Sequence, residues 1–343
     1  MKPFAKSLIT FVSLTLFGAT QAQNATLLKQ QNLHKWGVAP ANYSGITHIE
    51  GNSYALVSDK EQIDGIYIFD IDINPVSGKV KSVVPHAISG VAGSKTRDAE
   101  GICFCPQRNS VFVSAEDDQQ IIEYSLDGKP TGSKLDVPPM FSRDSIFPNC
   151  GFESLAYDSA ARRFYTATER PLKRDNSKDT ALVRILAFDE HLATCAQYAY
   201  VLEQPTLNNK AKYYVHGVSE ITALPDGRLV VMERELNVKA NYVGSECRIR
   251  LFTVNPSEGE PMTSHIAKPL YKTAIADFST HMDIGQLNYA NYEGMCLGPK
   301  LNDGRQTLIL INDSQAGAGN SLYLLKDYIK IIILLPRRLF PAC

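Results

Sequence analysis

Short apolar runs broken by Gly, Pro, Asn and Asp are ordered along this chain in a repeating phrase: an acid, an apolar run, a tight turn, a second apolar run, another acid. The phrase reads Asp98-Ala99-Glu100-Gly101-Ile102 to Ser114-Ala115-Glu116-Asp117, then Gly151-Phe152-Glu153-Ser154-Leu155 to Thr166-Ala167-Thr168-Glu169-Arg170. It returns as Val218-Ser219-Glu220-Ile221 to Val231-Met232-Glu233-Arg234, and as Tyr292-Glu293-Gly294-Met295 to Ile311-Asn312-Asp313. A first copy, Tyr43-Ser44-Gly45-Ile46 to Val57-Ser58-Asp59, lacks the opening acid. Self-similarity at intervals of roughly 50 to 75 residues predicts an array of blades rather than a mixed α/β enzyme.

The second copy shows the whole unit. Gly101–Phe104, Ser110–Ala115, Gln120–Ser125 and Ser133–Val137 are four short runs rich in β-branched and aromatic residues, which predicts one four-stranded antiparallel sheet. Five such units fill the chain, a sixth degenerate one being the alternative, and radial stacking of their apolar faces gives an all-β propeller. The fifth unit supplies Glu293–Leu297, Thr307–Asn312 and Ser321–Leu334, leaving little text for an outer strand. Thr26–Trp36 is expected to fill that place and close the ring by pairing the N-terminal with the C-terminal strand. No amphipathic helix of useful length is expected.

Composition sets the compartment and excludes some partners. With 343 residues, 44% hydrophobic and 21% charged, the chain can bury a large core as one domain, and a net charge of −1 argues against a nucleic-acid surface. Residues 1–22 carry a charged start, the apolar run Leu8–Ala19 and the small-residue end Thr20-Gln21-Ala22, which reads as a secretory signal too short to span a bilayer. The expected layout is a signal peptide over 1–22, a propeller over 23–335 and a tail over 336–343. Periplasmic or secreted location follows, with no membrane attachment after cleavage. Of seven cysteines, Cys195 and Cys247 flank the junction of the third and fourth repeats and are a candidate disulfide; Cys103 and Cys296 recur in equivalent places and read as buried small hydrophobes.

Antiparallel pairing turns the phrase into a site, because the start of a first strand lies opposite the end of the second. Glu100 with Glu116, Glu153 with Glu169, Glu220 with Glu233 and Glu293 with Asp313 should therefore share one rim of the channel. The connections on that side are also the long ones, such as Pro138–Gly151, Arg170–Ala181 and Arg234–Cys247, whereas Pro225-Asp226-Gly227-Arg228 and its counterparts opposite are tight turns. Clustered carboxylates suit a hard cation of the Ca²⁺ type, and Glu100, Glu116, Glu153, Glu220, Glu293 and Asp313 are the candidate ligands. Arg170 and Arg234, with Glu169 and Glu233, are the candidate catalytic residues, the guanidinium groups suiting a phosphate or carboxylate ester. Structural ion pairing, or acid/base work without metal, stays open for the same acids. His216 is a weaker candidate base or ligand. There is no G-x-S-x-G, CxxC or HExxH, so a nucleophile elbow, a thiolate cluster and a zincin site lack support. Gly317-Ala318-Gly319-Asn320-Ser321 reads as a loop.

The phrases around Glu100, Phe152-Glu153-Ser154-Leu155-Ala156, Glu169-Arg170-Pro171, Ser219-Glu220-Ile221, Leu224-Pro225-Asp226-Gly227-Arg228 and Asn291-Tyr292-Glu293-Gly294-Met295 resemble the phytase-like domain of exported bacterial proteins, known as esterase-like activity of phytase. The resemblance runs from about Tyr43 to Asp327. It implies a β-propeller and hydrolysis of a small-molecule ester or phosphate-bearing substrate, with clustered acids binding Ca²⁺ and basic residues holding phosphate. The rival expectation is a non-catalytic propeller that captures a ligand or protein on the same face.

Overall fold

The computed structural model describes residues 24–61, 63–177, 180–207, 210–263, 268–283, 285–314 and 326–335. The expected signal over 1–22, the Gly317–Ser321 loop, the start of the Ser321–Leu334 run and the tail over 336–343 lie outside the described residues. The chain is all-β, and its five antiparallel sheets form a five-bladed propeller.

From the axis outward, the first blade contains Tyr43–Glu50, Ser53–Ser58, Gly65–Ile73 and Val80–Pro85, and the second Ala99–Cys105, Ser110–Ala115, Gln120–Ser125 and Pro130–Lys134. The third contains Ala156–Asp158, Arg163–Ala167, Leu182–Phe188 and Thr194–Val201, and the fourth Tyr213–Ala223, Leu229–Val238, Ser245–Val254 and Lys272–Asp283. Asn291–Lys300, Gln306–Asp313 and Tyr328–Leu334 form the inner part of the fifth, and Ala25–Leu27 is its outer strand. Ala25 pairs with Leu334 and Leu27 with Ile332, so the N-terminal segment closes the ring as expected, but within Thr26–Trp36 only the end of Ala25–Leu27 and the short Gln31–Asn32 pair, and Leu33–Trp36 is a 3-10 turn. The fourth strand of the second blade is Pro130–Lys134 rather than Ser133–Val137. It begins straight after the turn in which Gly128 takes a φ of 76°, a left-handed conformation that favours glycine. The only helical pieces among the described residues are short 3-10 turns, and no helix is long and apolar enough to cross a membrane.

Alternating strand residues send apolar side chains to both faces of each blade, and the core lies between blades. Phe112 and Phe164 of neighbouring blades meet with ring centroids 4.6 Å apart inside one such layer. Five blades leave little room at the axis. A methyl at Gly45 would overlap the carbonyl oxygen of Glu100, and one at Gly101 would crowd the Ser154–Leu155 peptide, so these repeats need glycine where inner strands touch. Cys195 is exposed, Cys247 is buried and both thiols are free, so the candidate disulfide does not form; Cys103 and Cys296 are buried as expected.

Candidate functional site

Four of the five inner strands carry an irregularity in their pairing with the second strand. The pairing shifts between Tyr43 and Gly45, Ala99 and Ile102, Val218 and Glu220, and Tyr292 and Gly294. A bulge adds one residue and re-aims a side chain, and here it directs Glu100 and Glu293 to the axial mouth. The end of each second strand supplies the next ring: Asp59, Glu116, Glu169 and Asp313 all line the same cavity. That cavity measures about 530 Å³ and is walled by eight carboxylates, Asp59, Asp98, Glu100, Glu116, Glu153, Glu169, Glu293 and Asp313, with Arg234, Lys60, Lys212 and Lys239 as its cations.

The fourth blade breaks the pattern. Ile221 pairs with Val231, as Met295 does with Leu310 and Ile102 with Val113, and with these apolar residues as the anchor Ser219 stands where the other blades have Glu100, Glu153 and Glu293. Arg234 stands where they have Glu116, Glu169 and Asp313. Glu220 and Glu233 are each displaced by one residue, which in a strand reverses the direction of the side chain. Neither lines the mouth. Glu220 is wholly buried at the waist of the channel, where its Oε1 accepts from Leu155 N at 3.0 Å and Ile221 N at 2.9 Å. Burial pushes its carboxyl well above the usual range, against the pull of those N–H groups. Glu233 accepts from the Tyr200 hydroxyl at 2.6 Å and from Lys272 Nζ at 2.8 Å between blades. Arg170 also lies outside the mouth: it stacks over the Phe147 ring at 5.0 Å and lines a separate cavity with His216. His216 Nε2 faces Arg250 Nη2 at 3.2 Å, and burial followed by that guanidinium lowers its pKa. The spacing to Ile221 was the signal in the sequence that separates Glu220 from its apparent equivalents.

Within the mouth, Arg234 is the internal counter-ion. It is 5% exposed, donates to Glu169 Oε1 at 2.5 Å and to Asn291 Oδ1 at 3.1 Å, and forms an ion pair with Glu293. Burial opposes its charge, but Glu293 and Glu169 more than offset this and raise its pKa well above the ordinary value. Glu153 is pushed well up by burial and by Glu169, with Arg234 pulling the other way.

Across the cavity, carboxylate oxygens of Asp59, Asp98 and Glu100 all lie within 4.8 Å of one another. Asp59 closes the first copy of the repeated phrase and Asp98 opens the second, but neither was among the candidate ligands. Asp98 takes a left-handed φ of 58°, a conformation that Asp tolerates better than most residues, at the entry to its strand. Lys60 Nζ bridges Asp59 at 2.7 Å and Asp98 at 2.8 Å, yet its side chain is 58% exposed. Asp59 Oδ1 is buried without a hydrogen-bond partner. Burial and then Glu293 raise the Asp59 pKa to about 6, and burial followed by Glu153 and Asp59 raises that of Glu100 well above its usual value. Glu116, whose Oε1 accepts from Gly151 N at 2.5 Å, is raised to about 7, chiefly by burial. Burial comes first in each of these shifts, and neighbouring carboxylates that outnumber the cations add to it.

A family model described as esterase-like activity of phytase matches residues 40–315, which covers the first four blades and the two inner strands of the fifth. The chain belongs to the Phytase-like family. Among solved structures, this phytase-like propeller is similar to an endo-arabinase from Bacteroides thetaiotaomicron VPI-5482, with 11% identity, a TM-score of 0.50, and 89% of this chain and 97% of that one covered. It is also similar to a luciferin-regenerating enzyme, at 8% identity and a TM-score of 0.45 over 90% of this chain and 97% of that one. Identities this low speak for the fold alone. Among curated proteins, none matches the sequence.

Proposed function

We propose that this phytase-like propeller hydrolyses phosphoric or related esters at its axial mouth, with a Ca²⁺-type cation held by Asp59, Asp98 and Glu100. The observation that carries this reading is the oxygen cluster those three side chains form inside a cavity that also presents Arg234. The donor set fits: it is all oxygen, as a hard cation requires, and Asp59 Oδ1 is a buried acceptor with nothing to accept from. Lys60, being largely exposed, is free to swing away from Asp59 and Asp98 as a cation enters. Glu116, Glu153, Glu293 and Asp313 line the same space and are available to complete the oxygen shell.

When bound, such a cation polarises the ester and offsets the charge that develops on its oxygens. In the reaction, water adds to phosphorus, the phosphorus–oxygen bond to the alcohol breaks, and the departing oxygen takes the bond's electron pair and then a proton. Arg234 contributes fixed positive charge at the base of the cavity, where a phosphoryl group gains charge in the transition state. Lys212 and Lys239 on the wall draw an anionic substrate inward.

The test combines metal analysis of the purified protein with assays of a phosphomonoester, a phosphodiester and a carboxylic ester, each with Ca²⁺ and with chelator. Chelator should abolish turnover, and Glu100→Gln should lose both the metal and the activity. Absence of turnover on all three, with Ca²⁺-dependent ligand capture retained, would favour a binding propeller. Export to the periplasm or medium belongs to the same proposal and rests on residues 1–22; N-terminal sequencing should find a mature start near Gln23.

A further inference from the structure

The cavity has two chemically different halves. Carboxylates come from blades one, two, three and five, but the fourth blade offers Arg234 and then an apolar surface above it, flanked by Lys212 and Lys239. The cause is the long hairpin made by Tyr213–Ala223 and Leu229–Val238, whose register pairs Tyr213 with Val238, Val215 with Leu236 and Gly217 with Arg234. Cross-strand partners share a face and residues two apart along a strand share it too, so Tyr213, Val215, Leu236 and Val238 stand in one sheet face directly above Arg234. All four border the cavity, joined by Tyr242 from the following loop, but Leu236 and Val238 are buried in the core, so Tyr213, Val215 and Tyr242 offer the accessible apolar surface. The opposite face of the hairpin is spent on the protein itself: Glu235 there accepts from Thr206 N at 2.9 Å, Leu207 N at 2.6 Å and the Tyr214 hydroxyl at 2.9 Å. Tyr213 remains 49% exposed, a large aromatic surface left uncovered inside a cavity.

We propose that the natural substrate is an ester with one anionic head and one apolar, aryl or alkyl, arm. The head lies against Arg234 and the cation cluster, and the arm lies along Tyr213, Val215 and Tyr242. This rests on the ester-hydrolase reading and narrows it. A polyanion such as an inositol polyphosphate is disfavoured on two counts: eight carboxylates against four cations repel every phosphate beyond the first, and the apolar wall gives a polyol nothing to bond with. An apolar arm covers that wall and gains selectivity of about tenfold or more in kcat/KM over an equally charged polar ester, the range typical of small apolar pockets.

The test compares phenyl phosphate, octyl phosphate, glycerol phosphate and phytate as substrates with Ca²⁺ present. In parallel, binding of phenylphosphonate and methylphosphonate, which cannot be hydrolysed, is measured by calorimetry. The phenyl and octyl esters should exceed glycerol phosphate by tenfold or more in kcat/KM, and phenylphosphonate should bind correspondingly tighter than methylphosphonate. Tyr213→Ser and Tyr242→Ser should each reduce both ratios several-fold. Tyr271→Ser, at a residue that is 84% exposed and outside the cavity, should leave them unchanged. A preference for phytate, or equal binding of the two phosphonates, overturns the inference. If no ester is turned over but phenylphosphonate still binds more tightly through Tyr213 and Tyr242, the hydrolase reading fails and the ligand class stands.

Discussion

Removing Arg234 isolates the electrostatic problem at the centre of this propeller. Its guanidinium pairs with Glu169 and Glu293 and bonds to Asn291, all of them almost wholly buried. Arg234→Met keeps most of the volume and deletes the charge. Loss of one partner from a buried ion pair costs about 3–5 kcal/mol, because the partners stay buried without compensation. An unfolding entropy of about 2.1 cal/mol/K per residue makes about 0.72 kcal/mol/K for the 343 residues, so Tm should fall by about 4–7 °C at pH 8. The sign of the pH dependence follows from Glu293, whose carboxyl burial pushes up and Arg234 holds down. Without the arginine its folded pKa rises further. The folded variant then binds protons more tightly than the unfolded chain, and its stability falls as pH rises above the unfolded carboxylate range. The deficit should therefore be distinctly smaller at pH 5 than at pH 8, and Glu169→Gln with Glu293→Gln added to Arg234→Met should recover much of it. Thermal melts in chelator at both pH values measure this. A variant within about 1 kcal/mol of the parent at pH 8, or one equally impaired at both pH values, would refute the counter-ion role.

Three further outcomes are expected. Ca²⁺ at a hundred times its Kd should stabilise the protein by about 2.7 kcal/mol, and Asp59→Asn should blunt that gain; melts that are identical with and without Ca²⁺ would count against the oxygen cluster as a cation site. Asp327, buried away from the mouth, has its pKa raised from 3.8 to about 7, chiefly by burial, so its contribution is fully present below about pH 4 and is lost as pH rises through 7. Asp327→Asn should flatten the decline in stability between pH 4.5 and 7.5 by up to a few kcal/mol, and an unchanged slope in denaturant titrations would refute it. Gly45→Ala should cost on the order of 1–3 kcal/mol, because its methyl must displace the Glu100 carbonyl, and it should weaken Ca²⁺ binding at the same time; a calorimetric titration showing unaltered affinity would separate the waist from the mouth.

Much of this molecule was legible in the chain alone. The repeated phrase around Glu100, Glu153 and Glu293 encodes an inner strand, a turn and a returning strand, and antiparallel pairing then obliges Glu116, Glu169 and Asp313 to stand at the same rim. Ring closure by Ala25–Leu27 was legible too, because the fifth repeat lacked text for its outer strand. What the phrase did not convey was phase. Glu220 precedes its apolar anchor by one residue where Glu100 precedes Ile102 by two, and since side chains alternate along a strand, that single step sends Glu220 into the waist and brings Arg234 to the mouth. The grouping of Asp59 with Asp98 and Glu100 was decided by the tertiary structure, because those residues come from neighbouring blades and meet only when the sheets stack. So was the apolar wall. The sequence spells Tyr213 and Val215 as ordinary strand residues, and only the height of their hairpin above the axis leaves Tyr213 open to the cavity while Leu236 and Val238, on the same face, stay in the core beneath it.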